Sequence, residues 1–283
     1  KRLVLDIFMS LYLIATDRDL DRRSPTSIKL LKVLEYLSFR LPDLLIQDTH
    51  AYVNLLSQIY HLSPERFRLV PLGTDSIHFK PLPPPPDDGI FRVTFYGTFI
   101  PNHGVLNIIE AARLVQDLPD VQFDMIGDGP DLPAARELAQ RYELTNVKFL
   151  GWMEEEELVN ACIPSDILLG SFGTKAQSLI TVHNKIYAGM AMGKPVLTGD
   201  SPAIREQFEA GKQIFLCRRD DPTSLAEALR VLRADTQLRE DLALQGQVSY
   251  QEYYTTEKIG YRVKEYLVDL LTLERHHREH HRE

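Results

Sequence analysis

The chain has 283 residues, 44% hydrophobic and 25% charged, with a formal net charge of −8. That length suits two domains, and an acidic chain with no Lys/Arg run interleaved with aromatics excludes a nucleic-acid footprint, which requires basic surface. No stretch approaches the ~18 consecutive apolar residues of a membrane helix, and the two cysteines, Cys162 and Cys217, lack metal-ligand spacing and are expected as buried free thiols in a reducing, cytoplasmic compartment.

The chain opens on Lys1 and Arg2, and Leu3 to Phe8 already reads as a strand, so an upstream segment is expected. Residues 17–23, DRDLDRR, read as a solvated loop. Ile28, Leu31, Val33, Leu34 and Leu37 have helical spacing, and Pro42 ends that helix. Leu44 to Ile46 is a short strand, Thr49 caps a helix running to about Tyr60, and Phe67 to Pro71 is a third strand. Pro81 to Asp88 is proline-rich and can form neither helix nor central strand; it predicts a stiff extended linker. Beyond it strands and helices alternate: strands at 92–96, 121–126, 147–150, 167–169, 195–198 and 213–216, with helices between them and after the last. Repeated βα units predict a parallel sheet with helices on both faces. A long helix from Thr256 to Leu273 precedes a histidine-rich tail, read as a polar terminus or tag remnant over a metal grip by His276, His277, His280 and His281.

Three strand ends carry chemistry, all at the carboxyl edge, where open α/β sheets bind ligands. In Gly97-Thr98-Phe99-Ile100-Pro101-Asn102-His103-Gly104, glycines allow close approach, the following helix offers N–H groups, and His103 can add a donor to a phosphate. The lack of a phosphate-loop lysine–serine pair disfavours a nucleoside triphosphatase. In Gly127-Asp128-Gly129-Pro130 the glycines make a turn and Asp128 or Asp131 is expected as a cap. The third runs from Gly170 through Lys175 to Asn184-Lys185. A lysine in a helix's first turn opposes the dipole, a placement that a bound anion would explain.

With these residues in view, the chain resembles the retaining GT-B glycosyltransferases of family 4, the glycosyl transferases group 1. The matching pieces occur in order: Val70-Pro-Leu-Gly-Thr-Asp75, Gly97 with Pro101 and Gly104, Ile109-Glu-Ala-Ala112, Ile126-Gly-Asp-Gly-Pro130, Val147-Lys-Phe-Leu-Gly151, Ser165-Asp-Ile167, Asn184-Lys-Ile-Tyr187 and Met190 to Val196. The resemblance implies an α/β fold of GT-B type: a partial acceptor-side Rossmann-like domain at 1–82, a linker at 83–89, a donor-binding Rossmann-like domain at 90–252, and a C-terminal helix and tail at 253–283. It implies transfer of a sugar from a nucleoside diphosphate to an acceptor hydroxyl, with retention and with neither metal nor cofactor. Lys185 and Lys175 would stabilise the leaving diphosphate. Gly97, Thr98, His103, Gly104 and Asn184 would cradle it, and Gly151 and Trp152 would border the base. The sequence departs from the family at its glutamate pair, whose positions fall on Ile180 and Ala188, and in the early part of the N-terminal domain, which a partner chain could supply. Saccharide, lipid-linked and small-molecule acceptors stay open, as does a peripheral membrane contact. The rival readings are a nucleotide-sugar-binding module or degenerate subunit, and a GT-B epimerase.

Overall fold

The computed structural model describes residues 2–18 and 20–280, without the side chains of residue 21 and residues 273–280. The tail histidines therefore lie outside the described side chains.

The first region runs β1 (Val4–Asp6), α1 (Leu11–Asp17), α2 (Leu20–Arg23), α3 (Pro25–Ser38), β2 (Leu44–Gln47), α4 (His50–Tyr60) and β3 (Phe67–Leu69). Its three strands form a parallel sheet in the order β1-β2-β3, pairing Val4 with Leu44 and Leu45 with Phe67. The expected loop at 17–23 is corrected: Asp17 closes α1 and Leu20–Arg23 is helical. The charge cluster masked α1, whose N-terminus is fixed from a distance. The buried Glu35 carboxylate of α3 accepts from Ser10 Oγ at 2.7 Å, from the Leu11 N–H at 2.6 Å and from Tyr60 Oη. Hydrogen bonds to a charged group contribute about 1.5–3 kcal/mol each. Glu35→Gln, which turns a donor toward donors, is expected to cost about 3 kcal/mol in urea unfolding; an unchanged midpoint would show that Glu35 does not hold α1. The helix expected around Ile28 to Leu37 is present, but Val33, Leu34 and Leu37 point outward while Glu35 faces the core.

Residues 81–88 are extended, with neither helix nor strand. The second region runs β4 (Phe91–Tyr96), α5 (Val105–Leu114), β5 (Val121–Ile126), α6 (Leu132–Arg141), β6 (Val147–Gly151), α7 (Glu155–Cys162), β7 (Ile167–Leu169), α8 (Ala176–Ile180), α9 (Asn184–Ala191), β8 (Val196–Gly199), α10 (Pro202–Gln207), β9 (Phe215–Cys217), α11 (Pro222–Ala234) and α12 (Thr236–Tyr253). All six strands are parallel, in the order β6-β5-β4-β7-β8-β9. Strands β7 and β8 are buried throughout, as expected for a sheet covered on both faces. One core packs Phe95, Phe123, Ile109 and Leu229 on the face of α5 and α11. The other packs Leu168, Ile186, Tyr187, Ile204 and Tyr250 on the face of α9, α10 and α12. Cys162 and Cys217 are buried free thiols, and burial pushes both up to about 12.

The strand order reverses between β4 and β7, and this switch point of a doubly wound sheet opens a crevice at the carboxyl ends. The loops that follow these two strands are the first and third chemistry-bearing segments of the sequence. Helix α13 (Thr256–His280) then returns to the first sheet, where Tyr266 Oη donates to the Leu69 carbonyl at 3.2 Å and Ile259 packs at Gly73. Nearer the crevice, Thr181 Oγ donates to Asp48 at 2.5 Å and Thr49 Oγ to the Ile180 carbonyl.

Candidate functional site

The loop after β4 is shaped by what lies against it. Gly97 has φ +135° and donates its N–H to the Ile126 carbonyl at 3.0 Å. A Cβ on Gly97 would stand 2.9 Å from Lys185 Nζ. Gly104, at φ +67°, packs so closely that a Cβ would lie 2.6 Å from the Gly173 nitrogen. The Phe172 N–H donates to the His103 carbonyl at 3.0 Å, and Ser178 Oγ donates to the Asn102 carbonyl. The loops after β4 and β7 are thus one packed unit. Gly104 is buried where the two loops meet, and its N–H is used on the Pro101 carbonyl at 3.1 Å. Asp131 stands at the N-cap of α6, as expected, but its side chain makes no cap hydrogen bond, and Asp128 takes the adjacent Gly129 N–H.

Lys185 is the unusual residue. It lies in the first turn of α9, 6% exposed, and its Nζ has no hydrogen-bond partner among the described residues. The ammonium sits 4.1 Å from the centroid of the Phe95 ring, whose face attracts cations. Burial lowers its pKa to about 7. A buried cation with no counter-ion is costly, and the positive end of α9 adds to that cost. An anion placed here would remove both penalties.

The histidines beside it are uncharged. His103 is lowered to about 3, first by burial and then by Lys185, while its Nδ1 lies 2.5 Å from the Thr98 carbonyl. A carbonyl can only accept, so Nδ1 carries the proton and Nε2 is left as an acceptor. Without a bound anion, His103 therefore turns an acceptor toward the cavity. The ring of His183, the residue before α9, meets it edge-on with centroids 5.2 Å apart, and burial, His103 and Lys185 push it well below its ordinary value. Arg219, which sequence reasoning missed, is lowered to about 10 by burial. Its guanidinium donates to the Asp200 carbonyl at 2.7 Å and the Gly173 carbonyl at 2.8 Å, bracing the loop after β7. No motif marks it, because it stands in the turn after β9.

Two cavities meet at α9. The larger, about 670 Å³, lies between α1/α2 and the sheet edge, and Thr98, His103, Lys175, His183 and Asn184 line it. The smaller, about 480 Å³, is lined by Tyr96, Glu155, Asn184, Lys185 and Ala188. Thr98, His103, Lys175 and Asn184 thus share the larger cavity, while Lys185 lines the smaller one and meets that group at Asn184 and, beside Gly97, near His103. Lys175 stands just before the short helix α8. Gly151 and Trp152 lie at the end of the outer strand β6, line neither cavity, and Trp152 is largely exposed. Among the described residues one grouping has metal-ligand chemistry, the exposed Asp75, His78 and Glu155. His78 Nδ1 is 2.7 Å from each carboxylate, and Asp75 first, then Glu155, raise its pKa.

Residues 90–235 match the family model described as Glycosyl transferases group 1. The chain is 24% identical over 164 residues to an uncharacterized glycosyltransferase of Methanocaldococcus jannaschii, covering 58% of this chain and 44% of that protein. It is 24% identical over 169 residues to N-acetyl-alpha-D-glucosaminyl L-malate synthase of Bacillus anthracis, covering 59% and 42%. The alignments thus span less than half the length of either relative. Among solved structures, sucrose-phosphate synthase of Thermosynechococcus elongatus superposes with a TM-score of 0.77 at 17% identity, over 95% of this chain and 68% of that one. Anabaena HepE in complex with UDP-glucose gives 0.74 at 20%, over 95% and 72%. These likenesses place the α/β fold with the GT-B glycosyltransferases.

Proposed function

The chain belongs to the glycosyl transferases group 1 family, and from that premise we propose that it transfers a sugar from a nucleoside diphosphate to an acceptor hydroxyl, with retention and without a metal ion. In this reading residues 1–82 are the acceptor side, 83–89 the linker, and 90–252 the donor side. The bond from the anomeric carbon to the diphosphate oxygen breaks, the acceptor oxygen takes its place, and the acceptor's proton leaves with the diphosphate. Charge grows on that leaving group, so a fixed cation in a dry site acts where it is needed. The observation that carries the reading is the buried, unpartnered ammonium of Lys185 beside Gly97. Lys175, Asn184 and Thr98 are the neighbouring polar groups for the phosphates, Gly97 and Gly104 shape the cradle, and Gly151 and Trp152 border the base. His103 Nε2 accepts from a donor hydroxyl. The UDP-glucose complex of HepE supports a donor of this class.

The test is calorimetric titration with UDP-, GDP- and ADP-sugars across pH, followed by an assay of nucleoside diphosphate release with and without acceptors. A diphosphate diester does not titrate near neutrality, so Lys185 dominates the pH dependence. A bound anion raises its pKa above the free value of about 7. The complex then holds more protons than the free protein above that pH. Affinity is expected to be flat below pH 7 and to fall above it, approaching about tenfold per pH unit. A pH-independent affinity would remove Lys185 from the diphosphate site. One observation favours the alternative, a non-catalytic nucleotide-sugar-binding subunit: Ala188 lines the smaller cavity where the family resemblance places a glutamate. Donor binding without acceptor-dependent diphosphate release would select it.

A further inference from the structure

The larger cavity, which Lys185 does not line, has a wall with its own chemistry. On the side of the first sheet it is formed by Phe8, Met9, Ile14 and Leu20, with Arg18 and Arg23 beside them. Three of the apolar side chains are open to water: Phe8 is 57% exposed, Met9 42% and Leu20 37%. Arg18 and Arg23 are also exposed, and their guanidinium groups make no hydrogen bond or ion pair among the described residues. The one carboxylate lining this wall with a described partner, Asp17, accepts the Gln177 N–H at 3.2 Å.

A wall built to hold a free sugar would present paired donors and acceptors for its hydroxyls, because a polar group desolvated without a partner is costly. This wall instead offers apolar surface, whose burial is worth about 25 cal/mol per Å², next to two guanidinium groups suited to a phosphate by geometry and charge. Resting on the transferase reading, we propose that the acceptor is an anionic amphiphile: a single apolar chain seated on Phe8, Met9 and Leu20, with a phosphate-type head group held by Arg18 and Arg23. The head group brings the acceptor hydroxyl toward the sheet edge, and the chain keeps water from the reacting centre.

The probes are decyl phosphate, decanol and inorganic phosphate, each titrated below its aggregation concentration. Decyl phosphate is expected to bind at least about tenfold tighter than either decanol or inorganic phosphate, a difference of about 1.4 kcal/mol. Arg18→Gln with Arg23→Gln should erase its advantage over decanol, and Met9→Ser with Leu20→Ser should weaken both chain-bearing probes by about tenfold. Nucleotide-sugar binding, measured in parallel, should be unchanged in both double variants. Equal binding of decyl phosphate and decanol, or of decyl phosphate and inorganic phosphate, overturns the proposal. If the nucleotide-sugar binds and decyl phosphate does not, the amphiphile falls and the transferase reading stands. If no nucleotide-sugar binds, both fall.

Discussion

Lys185→Met is expected to lower transfer by about 10²–10³-fold, the loss seen when one donor to a developing anion is removed, and at the same time to make the protein more stable. The two effects have one cause. In the unliganded protein the ammonium is buried beside the Phe95 ring without a hydrogen-bond partner, and its pKa stands at about 7 in place of 10.5. Each pKa unit is 1.36 kcal/mol, so below pH 7 the folded state carries a penalty of up to about 5 kcal/mol that methionine lacks. Between pH 7 and 10.5 the unfolded chain binds more protons than the folded one. Stability of the parent protein therefore rises with pH through this window, and the variant's advantage shrinks. Calorimetric unfolding of both proteins at pH 6 and pH 10 checks the sign. A methionine variant that melts below the parent at pH 6 would make Lys185 a packing residue and remove the main support for the donor site. A stabilising, inactivating substitution is the signature of a group kept for function at the expense of the fold.

Gly127→Ala should destabilise the protein by more than about 3 kcal/mol, through packing and backbone strain together. Gly127 has φ +131°, and a Cβ would lie 2.0 Å from the Gly97 carbonyl oxygen. That oxygen belongs to the loop that borders Lys185, so the backbone would have to shift where the proposed site is built. Gly211 separates the two contributions. It is exposed at φ +77°, and nothing lies within 4 Å of an added Cβ. Gly211→Ala should cost only the strain of the left-handed region, about 1 kcal/mol. Urea unfolding of the two variants decides the matter, since equal losses would show that the contact between the two βα loops carries no packing energy.

The parallel α/β architecture was legible because its signals are local. Strand runs such as 121–126, punctuated by glycine and followed by helical spacing, need no tertiary information to be recognised. The edge loops were legible for the same reason, and Lys185 stood out because a first-turn lysine conflicts with the helix dipole. What the sequence hid was long-range. Helix α1 has a local cap in Ser10, but that serine and the Leu11 N–H are held by Glu35, more than twenty residues downstream, and the charged run that follows the helix looks like a loop. The five-residue α8 is too short for periodicity to reveal. Gly104 and Gly173 must be small because two loops meet there, a contact that no local pattern shows. Arg219 became visible only once the fold brought the turn after β9 against the loop after β7. The neutral state of His103 likewise depends on burial and on Lys185, both set by packing.

Helix α13 gives the molecule a mechanical property. The polypeptide crosses from the first sheet to the second through residues 83–89, and it returns when α13 leaves α12 and lies against Leu69 and Gly73. Two bodies joined at one point can swivel in any direction, whereas two joined at separate points turn only about the line between them. Here the covalent crossing and the packing of α13 are two such points, and the contacts of Thr181 with Asp48 and of Thr49 with the Ile180 carbonyl add a third at the crevice.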